Sequence, residues 1–280
     1  MRIVFPKVMD GKLNLAFFIL FMCPILLNAQ DWEEEEKDSS YFFYGVQVGA
    51  FFPNNNTAEL YSGAPSVTNF GIDYILSIQQ FQQEFNDYFR FPYYIAEYPI
   101  ESRYQTSFEI GINLGYQFNK SIALFADLNA YQLSYEQFFT MGIENPLNQS
   151  PQDDFERLPI LGKESRFHLN LGTQISYYNN ESINAYIGLF GNVNDVELRR
   201  NYIIINNREY DIFLIDINNA NQRPGGIGFG GGATLGFKFV IGDHVLGDFY
   251  YTLLSTQTNM LDNMQPRGLH HSIGFRVLWH

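Results

Sequence analysis

The sequence predicts an all-β protein, an eight-stranded antiparallel transmembrane β-barrel, over residues 41–280. Three observations support this prediction. Polar and apolar residues alternate with a period of two in eight segments of the chain. The apolar face of these segments contains no Asp, Glu, Lys or Arg. Short connections between the segments alternate strictly with long ones.

The composition excludes several classes of protein. The 280-residue chain is 46% hydrophobic, 17% aromatic and 17% charged, whereas charged residues make up about 25% of a typical soluble domain. The high aromatic content argues against intrinsic disorder. The chain has 17 Lys and Arg against 30 Asp and Glu, so nucleic acid is not an expected partner. Cys23 is the one cysteine, which excludes a disulfide framework and a cysteine zinc site.

Residues 1–29 have the layout of a secretory signal peptide. Arg2, Lys7 and Lys12 precede the apolar run 13–27, which is shorter than the roughly 20 residues of a membrane-spanning helix. We expect cleavage after Ala29, and an uncleaved anchor is the alternative. Residues 30–40 include the acidic run DWEEEEKD and are expected to form a solvated periplasmic tail.

The segment 107–118 shows the strand pattern most clearly. Its even positions are Phe, Ile, Ile, Leu, Tyr and Phe, whereas its odd positions are Ser, Glu, Gly, Asn, Gly and Gln. The same alternation predicts strands at 42–52, 122–131, 166–177, 183–193, 227–239, 245–254 and 269–279. The faces opposite the apolar ones are rich in glycine. Such faces suit the narrow interior of a small membrane barrel better than the solvent face of a sandwich.

The connections predict how the barrel is oriented. The connections 119–120, 179–182 and 241–244 are short, and the connections 53–104, 136–165, 194–226 and 255–267 are long. Outer-membrane barrels have tight periplasmic turns and long extracellular loops, and an even number of strands returns both termini to the periplasm. The sheet must close because lipid offers no hydrogen-bond partner to an open edge.

The last strand carries a resemblance to known proteins. Ser272, Gly274, Val277 and Trp279 have the spacing polar-x-Gly-x-x-apolar-x-aromatic. This spacing resembles the terminal assembly signal of Gram-negative outer-membrane barrels, although here His280 follows the aromatic residue. Residues 41–280 resemble the Bacteroidota outer-membrane β-barrel family of PorT-like proteins and small OmpA-like eight-stranded barrels. The resemblance implies an outer-membrane location, contact with lipopolysaccharide and insertion by the barrel assembly machinery.

Charged residues on the inward faces predict a closed lumen. They are three acids and three bases accompanied by a histidine: Glu109, Asp127, Asp248, Arg166, Lys238, Arg276 and His168. An unpaired charge is costly in a low-dielectric interior, so we expect the acids and bases to pair. Side chains about fill the interior of an eight-stranded barrel, which favours a salt-bridged plug over a pore or an ion path.

The sequence contains no strong catalytic motif, and no cofactor or metal site is predicted. GxSxG, HExxH and P-loop patterns do not occur, and His270 and His271 are strand neighbours that point to opposite faces. His270 and Ser272 share a face, and an outer-membrane lipid A deacylase places His and Ser at the same spacing. Their parity directs both residues to the lumen rather than to lipid, so we expect a protein without enzymatic activity.

The long loops contain apolar segments. Residues 71–89 fit a short amphipathic helix in the first loop, and the apolar runs around Asn206 and Asn207 fit a hairpin in the third. Exposed apolar surface of this kind more often contacts a protein partner than water; the alternatives are packing of the loops on one another over the barrel mouth and binding of a small ligand or glycan. The candidate partner-binding residues are Ile75, Phe85, Phe89, Tyr93, Tyr94, Ile204, Tyr210 and Phe213.

These observations predict a structural or accessory subunit of a larger outer-membrane complex. By analogy with the family, the candidate assemblies are type IX secretion, barrel assembly and nutrient uptake machinery. Two alternatives remain open. One is a lipid A-modifying enzyme that uses His270 and Ser272, and the other is a stand-alone surface barrel with a binding or stabilising role.

Overall fold

The computed structural model describes residues 40–65, 71–150, 152–180, 182–212, 224–260 and 265–280. The strands are β1 (Tyr41–Phe52), β2 (Tyr93–Glu97), β3 (Ser107–Gln117), β4 (Ile122–Ile143), β5 (Asp154–Asn179), β6 (Ile183–Ile205), β7 (Arg208–Asp211), β8 (Gly225–Gly242), β9 (Val245–Gln257) and β10 (Arg267–Trp279). The helices α1 (Gly71–Ser77) and α2 (Gln79–Phe89) and a 3₁₀ helix (Ala58–Tyr61) lie between β1 and β2. The predicted signal peptide, 1–29, and the tail residues 30–39 lie outside the described residues. Within the described ranges, no helix has the length and apolarity needed to cross a membrane.

Eight of the described strands close into a barrel. β1, β3, β4, β5, β6, β8, β9 and β10 each pair antiparallel with the next strand in this order. β1 and β10 close the ring, with a register that runs from Tyr44 opposite Trp279 to Phe52 opposite His271. Each barrel strand therefore has a neighbour on both sides, which confirms the predicted eight-stranded antiparallel barrel.

Alternate residues of the barrel strands face outward and are apolar. Val46, Ile112, Leu171, Leu189 and Ile273 are exposed examples. The residues between them point into the lumen and are buried and polar, among them Gln47, Asn113, Asn170, Gln174 and Thr234. An apolar exterior around a polar interior is the arrangement of a barrel surrounded by lipid.

Three strands, β4, β5 and β6, extend far beyond their predicted lengths. β4 continues to Ile143 and β5 begins at Asp154, and these two residues lie opposite each other in the register. The prediction of a long loop at 136–165 is therefore wrong, because most of this segment is a hairpin whose connection is 144–153. The predicted loop at 194–226 likewise contains the end of β6 and all of β7.

The polarity of the strands reverses where these extensions begin. On β4, the inward side chains from Tyr131 onward are apolar and buried except at Gln137, as Leu133 and Phe139 show. The outward residues Gln132 and Glu136 are polar and exposed. A segment in lipid needs apolar residues outside, whereas a segment in water needs them inside. The reversal therefore marks the level at which the barrel leaves its apolar band.

Beyond this level the chain forms a folded cap, which comprises the described residues within 57–106, 131–165 and 196–212. The cap sheet has the strand order β2–β4–β5–β6–β7. The helices pack against the inward face of this sheet and share its core: Tyr61, Ile72, Ile75, Phe85, Phe89, Leu133, Tyr135, Phe139, Met141, Ile160, Ile203 and Tyr210. Burial of each large apolar side chain contributes about 1.5–3 kcal/mol, so the first and third loops fold as one unit.

Two local predictions in the loops are confirmed. The predicted helix at 71–89 forms as α1 and α2, which are separated by the extended residue Ile78. The predicted hairpin in the third loop forms around Asn206 and Asn207, whose φ angles are 51° and 59°. Positive φ at both central residues is the geometry of a type I′ turn, and Asn tolerates it better than most residues.

The polarity reversal predicts that the same substitution has unequal effects at two outward positions of β5. Leu171 lies in the apolar band, and Leu161 lies in the cap opposite Glu136. Leu171→Lys is expected to lower the free energy of unfolding by about 2–4 kcal/mol, because it places a charge in lipid. Leu161→Lys is expected to change it by less than about 0.5 kcal/mol. Urea titration in lipid vesicles measures both, and equal losses would contradict the assigned level of the membrane.

Candidate functional site

The polar lumen is organised around Arg276 of β10, which is buried. Its guanidinium lies 2.9 Å from Asp127 Oδ2 and 3.2 Å from Asp248 Oδ2. It also donates hydrogen bonds to Gln47 Oε1 at 2.6 Å and to the Tyr186 hydroxyl at 3.2 Å. A buried charge needs counter-charges and satisfied hydrogen bonds, and β1, β4, β6 and β9 together supply them.

Two inward-facing glycines make room for the tyrosines around Arg276. A Cβ atom at Gly236 would lie 2.5 Å from the Tyr186 ring, and a Cβ atom at Gly274 would lie 2.4 Å from the Tyr250 hydroxyl. The Tyr250 ring centroid lies 4.0 Å from the Arg276 guanidinium carbon. The glycine on the inward faces therefore allows large polar aromatic side chains to fit into a narrow lumen.

Glu109 and Lys238 do not follow the expected pairing of acids with bases. Glu109 accepts a hydrogen bond from the Tyr250 hydroxyl at 2.6 Å and forms no ion pair with any described residue. Lys238 donates to Gln174 Oε1 at 2.7 Å, and its ammonium lies 4.7 Å from the Phe43 ring centroid. The predicted salt-bridge pairing is therefore wrong for these two residues, because neutral polar groups and an aromatic face take the place of opposite charges.

A second charged cluster lies next to the cap and contains Arg166 of β5. Its Nε lies 2.5 Å from Glu164 Oε1. Glu164 Oε2 accepts hydrogen bonds from the Tyr61 hydroxyl at 2.9 Å and the Tyr104 hydroxyl at 2.7 Å. Arg166 also donates to Thr57 Oγ1 at 3.1 Å. Tyr61, Tyr104 and Thr57 belong to the first loop, so this buried ion pair fastens the loop to the barrel wall.

Glu164 was not among the predicted lumen residues, because the predicted strand begins at residue 166. β5 begins at Asp154 in the structure, and Glu164 shares the inward parity of Arg166 and His168. Extending the period of two by one step toward the loop would have identified it. The apolar outward pattern used to find the strand had already ended at this level, because the strand enters water there.

His168 and His270 lie between the polar lumen and the cap core. The Tyr131 ring centroid lies 5.0 Å from that of His168, and the Phe51 ring centroid lies 5.6 Å from that of His270. His270 Nδ1 accepts a hydrogen bond from the Asn54 amide at 2.9 Å. Neither ring nitrogen of His168 has a hydrogen-bond partner among the described residues. The prediction that His168 joins the charge network is therefore wrong, since it packs among aromatic rings instead.

The pair considered as a catalytic alternative is enclosed in the barrel. His270 and Ser272 both point into the lumen and are buried. Their side chains share no hydrogen bond within the described part of the chain, and His270 Nδ1 bonds the Asn54 amide instead. The barrel wall separates both side chains from the lipid-facing surface.

Side chains fill the lumen around Arg276. A cavity of about 10 Å³, roughly the space of one water molecule, remains beside the guanidinium. Its wall includes polar and aromatic residues of several strands: Glu109, Asp127, Asn170, Tyr250 and Ser272. Phe43, Ala123 and Leu278 form an apolar cluster near the end of the barrel that carries the termini. The cap core covers the other end, which supports a plugged lumen.

Four candidate partner-binding residues are part of the cap core. Ile75, Phe85, Phe89 and Tyr210 are buried, so the prediction that they form an exposed partner-binding surface is wrong. The alternative, packing of the loops on one another, describes these residues. The inward face of the extended sheet is apolar, and the two helices cover it because water would otherwise contact that face.

The other four candidate residues are not all in the core. Tyr94 of β2 is exposed, and its hydroxyl donates to Asp153 Oδ2 at 2.8 Å. Tyr93 and Ile204 are half-buried. Phe213 lies outside the described residues. Only Tyr94 of these residues therefore presents a large exposed side chain to a partner within the part of the chain that the structure describes.

The residues of the predicted assembly signal lie on the strand that closes the barrel. Ser272 and Gly274 face the lumen, whereas Val277 and Trp279 face outward. The Trp279 ring stacks on Tyr44 of β1, with centroids 5.9 Å apart and planes inclined by 24°. These contacts give the four residues a place in the β1–β10 seam, and their recognition by assembly machinery stays a prediction.

Comparison with solved structures finds similar outer-membrane proteins. Neisserial surface protein A is 8% identical with a TM-score of 0.41, and the match covers 86% of this chain and 98% of that one. Outer membrane protein OprG from Pseudomonas aeruginosa is 13% identical with a TM-score of 0.38, over 88% and 98% of the two chains. Ail, the attachment invasion locus protein of Yersinia pestis, solved with the heparin analogue sucrose octasulfate, is 9% identical with a TM-score of 0.31, over 85% and 99%.

Comparison with protein-family models gives no match, and comparison with curated proteins gives none either. The resemblance to PorT-like proteins of Bacteroidota therefore stays a prediction. The barrel itself is established by the closed ring of strand pairs and by the apolar exterior of those strands.

Tyrosines and carboxylates pair on the water-exposed part of the cap. The Tyr88 hydroxyl donates to Glu156, and this hydrogen bond raises the pKa of Tyr88 to about 12. The pKa of Tyr210, in the cap core, is also raised to about 12, chiefly by burial. The Tyr88–Glu156 contact joins α2 to β5, so it helps to hold the loops of the cap together.

The Tyr88–Glu156 contact predicts a dependence of cap stability on alkaline pH. The folded-state pKa of Tyr88 is raised above the unfolded value near 10, so its contribution is complete below pH 10 and is lost as the pH rises through about 12. Spectrophotometric titration of tyrosinate, compared with the Tyr88→Phe variant, should assign a pKa near 12 to Tyr88. Glu156→Gln should move it toward 10, and an unchanged titration would contradict the contact.

Removal of Arg276 should be strongly destabilising. Arg276→Met leaves Asp127 and Asp248 buried without a counter-charge, so we expect the free energy of unfolding to fall by about 3–5 kcal/mol. Adding Asp127→Asn and Asp248→Asn should recover most of this loss, because the two carboxylates that Arg276 neutralised are then uncharged. Arg199→Met, which breaks an exposed ion pair with Glu197, should cost less than about 1 kcal/mol. Urea titration distinguishes these cases, and a triple variant as unstable as Arg276→Met alone would contradict the assignment.

Proposed function

We propose that this protein is a non-enzymatic outer-membrane barrel that serves as a structural or accessory subunit of a larger outer-membrane assembly. The observation that carries this proposal is the plugged lumen beneath a folded cap. A barrel filled in this way offers other molecules two kinds of surface, the lipid-facing wall and the outside of the cap. A protein with such surfaces is suited to docking rather than to transport through its own lumen.

The chemistry of the lumen supports the non-enzymatic part of the proposal. The side chains with catalytic potential, His270 and Ser272, are buried and share no hydrogen bond within the described residues. The charged groups around Arg276 have partners that neutralise or solvate them in place. A lipid A-modifying enzyme needs its nucleophile and base within reach of lipid. Here the barrel wall separates both side chains from lipid.

The proposed orientation places the termini in the periplasm and the cap at the cell surface. β1 begins and β10 ends at the same end of the barrel, opposite the cap. Outer-membrane barrels direct their short turns to the periplasm and their long loops outward, where lipopolysaccharide surrounds the wall. By analogy with PorT-like proteins, the host assembly would be type IX secretion, barrel assembly or nutrient uptake machinery.

The proposal predicts that the protein migrates as part of a complex. Native electrophoresis of mildly solubilised outer membranes, followed by mass spectrometry of the band, should find the chain together with other outer-membrane proteins. The control is the same membranes heated in denaturing detergent, which should release an unfolded monomer. A difference in migration between the two samples shows that the barrel was folded before heating.

Two outcomes would contradict the proposal. A chain that runs alone at the size of a monomer would favour the stand-alone surface barrel. A change in lipid A that appears on deletion of the gene and is not restored by a His270→Ala or Ser272→Ala variant would favour the enzyme. Unchanged lipid A in the deletion strain, together with co-migrating partners, is the expected result.

A further inference from the structure

The cap sheet ends in two edge strands of different character, β2 and β7. β7 carries charged side chains that are fixed in ion pairs. Arg200 lies 2.8 Å from Glu209 and 2.9 Å from Asp211, and Arg208 lies 2.5 Å from Glu84 of α2. Charged side chains of this kind protect an edge from pairing with another chain.

No ion pair of this kind forms on β2 among the residues that the structure describes. Its sequence is YYIAE, and its single charged residue, Glu97, forms no ion pair with any described residue. Tyr94 lies opposite Gly142 of β4, and Gly142 lies opposite Phe155 of β5. Tyr94 and Phe155 are both exposed on the outward face of the sheet. Exposed aromatic side chains therefore extend from β2 across the outward face of the neighbouring strands.

A groove opens at the end of β2, between residues 97–101 and the neighbouring strands β4 and β5. The chain leaves β4 at Glu97, opposite Thr140, and returns to it at Tyr104, opposite Tyr135. The space between these two contacts is a groove of about 460 Å³. We call it the β2 groove, and its defining residues are Glu97, Ile100, Glu101, Phe138, Thr140 and Arg157.

The β2 groove combines an apolar floor with an acidic rim. Phe138 is 44% exposed, and the Arg157 guanidinium carbon lies 5.1 Å from its ring centroid. Ile100, at the rim, is 82% exposed. Glu97 and Glu101 outnumber Arg157, so the lining carries an excess of negative charge. Aromatic side chains and Arg are enriched in the binding centres of protein interfaces.

Lipid does not cover this groove. Polar outward positions of β4 and β5 lie between it and the apolar band, among them Gln132, Glu136, Lys163 and Ser165. A lipid-facing surface would carry apolar residues at these positions, as the same strands do at Leu128 and Phe167. The occupant of the groove must therefore approach through water.

We propose that an extended peptide segment of a partner protein adds a strand at the free edge of β2 and continues past Glu97 into the β2 groove. An apolar side chain of the segment packs on Phe138 and Ile100, and flanking Lys or Arg residues face Glu97 and Glu101. Strand addition supplies affinity through main-chain hydrogen bonds, and a pocket beside the edge supplies specificity. This inference rests on the proposed function, because it names the docking surface of the subunit.

The test uses the full-length protein in detergent and a random peptide library displayed on phage. Selected peptides should carry an apolar residue flanked by Lys or Arg. Phe138→Ser, and separately Glu97→Lys with Glu101→Lys, should each weaken their binding at least about tenfold. Tyr74→Ser is the matched control, since Tyr74 of α1 is 43% exposed and lies outside the groove, and it should leave binding unchanged. Bound peptide should also slow amide hydrogen exchange at 93–97.

Several outcomes would overturn the inference. They are failure to enrich any peptide, equal binding by wild type and the groove variants, and unchanged hydrogen exchange at β2. Native electrophoresis of the same variants separates this inference from the proposed function. If the Phe138→Ser variant forms the same complex as the wild type, the groove is refuted and the subunit role stays. A wild-type chain that runs alone would refute the subunit role, and a complex containing only copies of this chain would replace the partner by self-association.

Discussion

Closure of the sheet at the β1–β10 seam is the constraint on which the rest of the structure depends. Within the apolar band, backbone groups have no water to bond, so each strand needs a neighbour on both sides. A closed ring of eight strands has a narrow lumen, and the polar faces of the strands must share it. The buried arginine, carboxylates and tyrosines around Arg276 are a consequence of that crowding, and their mutual contacts make the lumen a plug.

The cap follows from what happens to the same strands once they leave lipid. β4, β5 and β6 continue as a sheet in water, so their inward side chains become apolar and need a cover. The helices of the first loop provide it, with Phe85 and Phe89 in the core. The ion pair of Arg166 with Glu164 and the tyrosines of the first loop connects this core to the barrel below. These contacts therefore fix the cap to the wall of the barrel.

The sequence predicted the positions of some residues correctly and those of others wrongly. The inward position of Arg276 and the outward position of Leu171 follow from period-two alternation, because a strand directs successive side chains to opposite sides. The same rule missed Glu164, because β5 is in water at that level and its outward residues are polar rather than apolar. Ile75 and Phe85 were expected on a surface because an amphipathic helix does not indicate what its apolar face contacts. The partners of Glu109 and Lys238 depend on distances between strands, which parity does not contain.

The sequence by itself determined the class of fold, the identity of the inward and outward residues in the apolar band, and the positions of a helix and a hairpin in the loops. Each of these rests on local periodicity and turn chemistry, which neighbouring residues along the chain encode. The tertiary structure alone decided which carboxylates contact Arg276, which loop residues are buried, and where a groove opens at the end of β2. These features depend on segments far apart in the chain meeting in space, and no local pattern specifies that meeting.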